Sequence, residues 1–107
     1  IYLKPARGIF ALYIGGMGAK NKNFYYNLAC KYGYEEIATK VQDLYLSGDK
    51  QEAEDILPNE LVEDLTLVGP EDEIITKLDK WKNSNITELS LSSPTDIETI
   101  KFIKQNL

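Results

Sequence analysis

The sequence predicts a mostly helical segment of the α/β class, with six or seven helices and one strand. Three observations carry this. Apolar residues recur at spacings of three and four through most of the 107 residues, and proline and glycine sit where helices start and stop. Only the stretch Thr87 to Leu91 alternates apolar and polar residues in the manner of a half-buried strand.

The first helix is expected from Pro5 to Ile14, with proline near its start, where the missing N–H costs nothing. Ile9, Phe10, Leu12, Tyr13 and Ile14 leave so little polar relief that this helix reads as buried, ending at Gly15-Gly16. Asn21 to Asn23 offer caps for a second helix, Asn23 to Tyr32, which Gly33 stops. A third, Glu35 to Ser47, places Ile37, Val41, Leu44 and Tyr45 on one stripe and ends at Gly48.

Two short helical pieces follow, Lys50 to Ile56 and Asn59 to Asp64, divided by Pro58, with Asn59 as the cap of the second. "LTLVG" (Leu65 to Gly69) is short and ambiguous, with an extended conformation one reading. Pro70 then opens the clearest helix, with Glu71, Asp72 and Glu73 in its first turn, lysines late, and Ile74, Leu78 and Trp81 on one face. After the strand, Ser93 is expected to cap a last helix with Pro94 as its first residue and Asp96 in its first turn, burying Ile97, Ile100, Ile103 and Leu107. A single strand cannot satisfy its own backbone groups, so its partners are expected in another chain or in a preceding part of this one. The opening "IYLKPARG", without a methionine, agrees with a stretch cut from a longer protein.

Composition narrows the function. The net charge of -5 and pI near 4.7 disfavour a phosphate backbone as partner, and Lys20, Lys22 and Lys31 are too few to overcome this. No nucleic acid and no membrane is expected as a partner, the apolar runs being shorter than the roughly 18 residues of a span. A single Cys30 makes no internal disulfide, which points to a reducing, cytoplasmic setting. Without histidine, Cys-His and Ser-His-Asp mechanisms are excluded within this stretch, so no catalytic residue is assigned in it. No metal site is expected either.

The stretch "YIGGMGAKNKNFYYN" (Tyr13 to Asn27) matches neither phosphate motif. A Walker loop needs Gly-Lys followed by Ser or Thr, whereas Lys20 follows Ala19 and precedes Asn21. A dinucleotide fingerprint would need glycine at Asn21. What remains is a tight corner between helices, with Phe24, Tyr25 and Tyr26 able either to stack a planar ligand or to pack helices together. The acidic groups Glu35-Glu36, Glu52-Glu54-Asp55 and Glu71-Asp72-Glu73 fall at helix starts or on polar faces.

Taken together, Tyr13-Ile14-Gly15-Gly16-Met17-Gly18, Asn23-Phe24-Tyr25, Tyr32-Gly33-Tyr34, Gln42-Asp43-Leu44-Tyr45-Leu46, Pro58 to Asp64 and Leu67-Val68-Gly69-Pro70 form a larger pattern. Over Ala11 to Leu91 it resembles the C-terminal portion of luciferase-like flavin and deazaflavin oxidoreductases, above all the coenzyme F420-dependent class. The resemblance implies a C-terminal fragment, about the last third, of a (β/α)8 TIM barrel. Residues 1–64 would be the helical insertion after the seventh strand, and residues 65–107 the last helix, strand and helix of the barrel. It further implies hydride transfer between F420 and a small organic substrate, with FMN as the alternative coenzyme. Tyr13, Gly15, Gly16, Met17, Asn23 and Phe24 would then wall the substrate or coenzyme cleft, and equally they could pack within the insertion. Ser92 and Ser93 would sit at the C-terminal end of the eighth strand, where barrels bind ligands. The expected partners are the substrate, the N-terminal barrel of the same protein and, as an open point, a second copy. By itself the fragment is expected to be inactive, and marginally stable or self-associating; a free-standing helical interaction module is the rival reading.

Overall fold

The structure, a computed structural model, describes residues 3–91 and 96–107. Seven helices lie among them: α1 Lys4–Gly16, α2 Phe24–Lys31, α3 Glu35–Ser47, α4 Lys50–Asp55, α5 Asn59–Asp64, α6 Glu71–Lys82 and α7 Ile97–Gln105. The chain divides into two compact units, Ile1–Thr66 and Leu67–Leu107.

In the first unit α1 and α3 form the main helix pair, with α2 and α4 packed against both and α5 against α1. The contacting positions are small: Ala11 on α1, Ala29 on α2, Ala38 on α3 and Ala53 on α4 are all buried. Alanines at these points let helix backbones approach closely, while Val41, Leu57, Leu61 and Val62 supply most of the buried bulk. Arg7 fastens α1 to the α4–α5 junction. Its Nη1 donates to the Glu54 and Leu57 carbonyls at 3.0 and 2.6 Å, and its Nη2 donates to Asn59 Oδ1. Asn59 is therefore the first residue of α5 rather than its cap, because its side-chain oxygen accepts from Arg7 while Pro58 takes the extended capping position.

The glycine stops form as expected. Gly33 and Gly48 hold φ of 93° and 102°, and the Gly48 N–H returns to Tyr45 O. Helix α1, however, is not buried all round and runs through Gly15-Gly16 to a cap at Met17. Ala11, Ile14 and Gly15 face inward, whereas Ile9 stays 52% exposed and Leu12 38%.

In the second unit Leu78 on α6 and Ile103 on α7 are buried. The expected stripe on α7 is otherwise bare, with Ile97 69% exposed and Leu107 54%. Nor does Thr87 to Leu91 form a strand: among the described residues no sheet is present, and an alternating pattern without a neighbouring strand has no ladder to join. The cap of α7 is Asp96, its carboxylate accepting from Thr99 N at 2.7 Å; the expected cap, Ser93, lies outside the described residues. That hydrogen bond holds the Asp96 carboxyl below its ordinary pKa. Among the described residues no helix is long and apolar enough to cross a membrane.

A candidate functional corner between α1, α2 and α3

The glycine-rich stretch closes a corner whose interior is set by two residues, Asn23 and Tyr45. Asn23 is 1% exposed and uses its whole amide. Its Nδ2 donates to the Tyr13 and Ile14 carbonyls at 3.0 and 2.9 Å, and its Oδ1 accepts from Tyr26 N at 2.9 Å. One side chain thus satisfies carbonyls left over at the end of α1 and an amide left over at the start of α2. The turn between them is closed by Lys22 N donating to Ala19 O at 2.8 Å. Gly18 is required there: a Cβ would fall 2.5 Å from Lys22 O.

Tyr45 of α3 lies over the glycine pair. A Cβ on Gly15 would meet Tyr45 Cβ at 2.5 Å, and one on Gly16 would meet Tyr45 Cε1 at 2.5 Å. Lys50 Nζ covers the Tyr45 ring at 5.3 Å from its centroid, a cation–π distance. Asp43 pairs with Lys20 of the turn at 3.0 Å, with both side chains more than half exposed. Between Asp43 and the buried Val41 sits Gln42, 2% exposed, whose Nε2 has no hydrogen-bond partner. Both motifs of the sequence, Tyr13 to Gly18 and Gln42 to Tyr45, therefore meet in this corner.

The expected site residues divide into two groups here. Gly15, Gly16 and Asn23 belong to the interior of the corner, spent on helix packing and capping. Tyr13, Met17 and Phe24 reach its surface, Met17 at 49% and Phe24 at 70% exposure. The Tyr13 and Tyr25 rings stack at 4.7 Å with a 32° tilt, and Phe24 meets Tyr25 edge-on at 5.4 Å. Behind them, Tyr26 Oη bonds Thr39 Oγ1 at 2.8 Å, and Thr39 donates to Glu35 O. Ser92 and Ser93 lie outside the described residues. Sequence reasoning missed Tyr45, Gln42 and Asp43 as parts of the corner. The signal was present, since a helical Gly-Gly pair needs something bulky over it, but it does not say what.

Chemically the corner offers aromatic faces and a thioether. It can stack against a planar ring, with Lys20 paired to Asp43 and Lys50 over the Tyr45 ring. Among the described residues no cluster of three metal-binding side chains occurs. Beside it, Phe24, Asn27, Leu28, Cys30 and Lys31 line an open cleft. These residues do not by themselves enclose a coenzyme; they can furnish one wall of a site.

The sequence model for luciferase-like monooxygenases matches residues 6–88, which include the entire corner. A Mycobacterium tuberculosis protein named "Putative coenzyme F420-dependent oxidoreductase" is 36% identical over 91 residues, 85% of this chain and 25% of that protein. The chain thus spans about a quarter of the length of the curated relative it matches. No solved structure gives a significant match.

Proposed function

The chain belongs to the luciferase-like monooxygenase family, and on that premise we propose that it is the C-terminal part of a coenzyme F420-dependent oxidoreductase. The single observation behind the coenzyme is the 36% identity to a relative whose name carries F420. When bound, a deazaflavin supplies hydride transfer, here to or from a small organic substrate.

This chain's share of the work is to build and hold a wall. Tyr13, Met17 and Phe24 present it. Asn23, Gly15 and Gly16 fix it in place by joining α1, α2 and α3. A wall held by a buried, fully bonded amide stays where it is as a substrate arrives, which is what orientation of a reacting carbon and exclusion of water both require. The assignment of residues 1–64 to the insertion, and of 65–107 to the closing helix, strand and helix, belongs to the same proposal. The setting is cytoplasmic, and the isolated stretch is inactive.

The test is turnover by the protein expressed from its full reading frame. Reduced F420 should be oxidised in the presence of a small electrophilic organic acceptor, read by the coenzyme's own absorbance, and the 107-residue chain should give none. Turnover with reduced FMN alone would move the protein to the flavin branch of the family.

A further inference from the structure

Two polar side chains lie buried among the described residues, Asn23 and Gln42, and only the first has an evident task. Asn23 spends its whole amide on the ends of α1 and α2, whereas the Nε2 of Gln42 meets no acceptor among the described residues. An unpaired buried amide costs stability that a methionine of similar volume would not, so Gln42 calls for an acceptor outside the resting fold. Its neighbours on α3 fix its place. Val41 O and Tyr45 lie against Gly15, while the Asp43 carboxylate holds Lys20. Gln42 therefore lies beneath the corner, between the glycine pair and the turn of Ala19 to Lys22. That turn is closed on itself by the Lys22 N to Ala19 O bond and held to α3 by the Lys20–Asp43 pair, which is exposed enough for water and salt to weaken it.

We propose that Gln42 is a ligand-binding side chain: once the turn lifts, its Nε2 donates to a carbonyl oxygen of a planar ring lying on Met17 and Phe24. The inference rests on the reading of the chain as part of an F420-dependent oxidoreductase. Two features select that class of ligand. A neutral amide N–H pairs with a carbonyl oxygen and lacks the charge that a carboxylate or phosphate demands. The exposed thioether and ring that flank the same turn, Met17 before it and Phe24 after it, suit a flat, weakly polar body. Two sources of such a carbonyl fit, the deazaflavin ring and an enone acceptor, and they differ in which titration responds.

The experiment uses the protein expressed from its full reading frame, its Gln42→Met variant and its Lys20→Ala variant. Each is titrated by calorimetry with F420 and, at saturating F420, with cyclohexenone. Gln42→Met is expected to raise the Kd of the ligand whose carbonyl is bound by about tenfold, while its urea midpoint without ligand stays level or rises. A rise with F420 alone assigns the coenzyme's carbonyl, and a rise with cyclohexenone alone the acceptor's. Lys20→Ala frees the turn and should leave that Kd level or lower it by up to about fivefold. Weaker binding by Lys20→Ala contradicts the lifting of the turn. A fall in the urea midpoint of Gln42→Met overturns the proposal, because a protein group would then be the acceptor. Unaltered binding of both ligands by Gln42→Met strikes the Gln42 inference alone, whereas a parent protein that does not bind F420 removes the proposed function and this inference with it.

Discussion

Gly15 lies directly beneath Tyr45, so that a methyl group on its Cα would meet the Tyr45 Cβ at 2.5 Å. In most helices Gly→Ala stabilises, by about 1 kcal/mol. Here the obstacle is the root of a side chain, which cannot swing away. Gly15→Ala is therefore expected to destabilise by about 1–3 kcal/mol, read as a drop in thermal midpoint. The neighbouring glycine provides the control. Gly16 faces Tyr45 Cε1, so Tyr45→Ala should rescue Gly16→Ala but not Gly15→Ala. Equal rescue of both would show that Tyr45 does not lie as described.

Asn23 should tolerate almost no replacement. Asn23→Ala removes a cap and leaves the Tyr13 and Ile14 carbonyls unpaired in a buried place, at an expected cost of about 2–4 kcal/mol. Asn23→Asp keeps the acceptor for Tyr26 N but turns a carboxylate toward two carbonyl oxygens. That variant should recover stability as pH falls, because the carboxyl is then protonated and can donate; denaturation midpoints at neutral and mildly acidic pH decide it.

Asp96 gives the opposite sign. Its folded pKa is depressed by the Thr99 amide, so its contribution is present above the ordinary carboxylate range and fades as pH falls through the depressed value. Protection of the first-turn amides of α7, taken relative to their intrinsic exchange rates, should fall in acid, and Asp96→Ala should lower it at neutral pH. Asp96→Asn, which keeps an acceptor, should remain protected in acid.

Gln42 is buried with its Nε2 unpaired, an arrangement that costs stability. Gln42→Met, close in volume, is expected to be neutral or stabilising by up to about 1 kcal/mol. A loss above that size, measured by urea titration, would mean that the amide holds a buried water or another partner.

Local chemistry was legible in the sequence wherever a single residue decides it. Gly33 and Gly48 stop their helices because left-handed backbone favours glycine there, and Asn23 caps α2 because its short amide reaches back to Tyr26 N. Tertiary roles were not legible. Nothing local says that Asn23 also serves α1, that Asn59 serves Arg7, or that Tyr45 covers Gly15. The expected strand at Thr87 to Leu91 and the buried stripe of α7 failed for one physical reason. Both patterns describe surfaces meant for neighbours, and among the described residues Ile97 and Leu107 find little to cover them.

The most direct measurement is a fluorescence titration of F420 and of FMN against the protein expressed from its full reading frame, with the 107-residue chain alongside. The account predicts saturable F420 binding by the longer protein, weaker or no binding of FMN, and none of either by the isolated chain. Binding of neither coenzyme by the longer protein would contradict it and leave the corner of Gly15, Asn23 and Tyr45 as helix packing in a non-catalytic module.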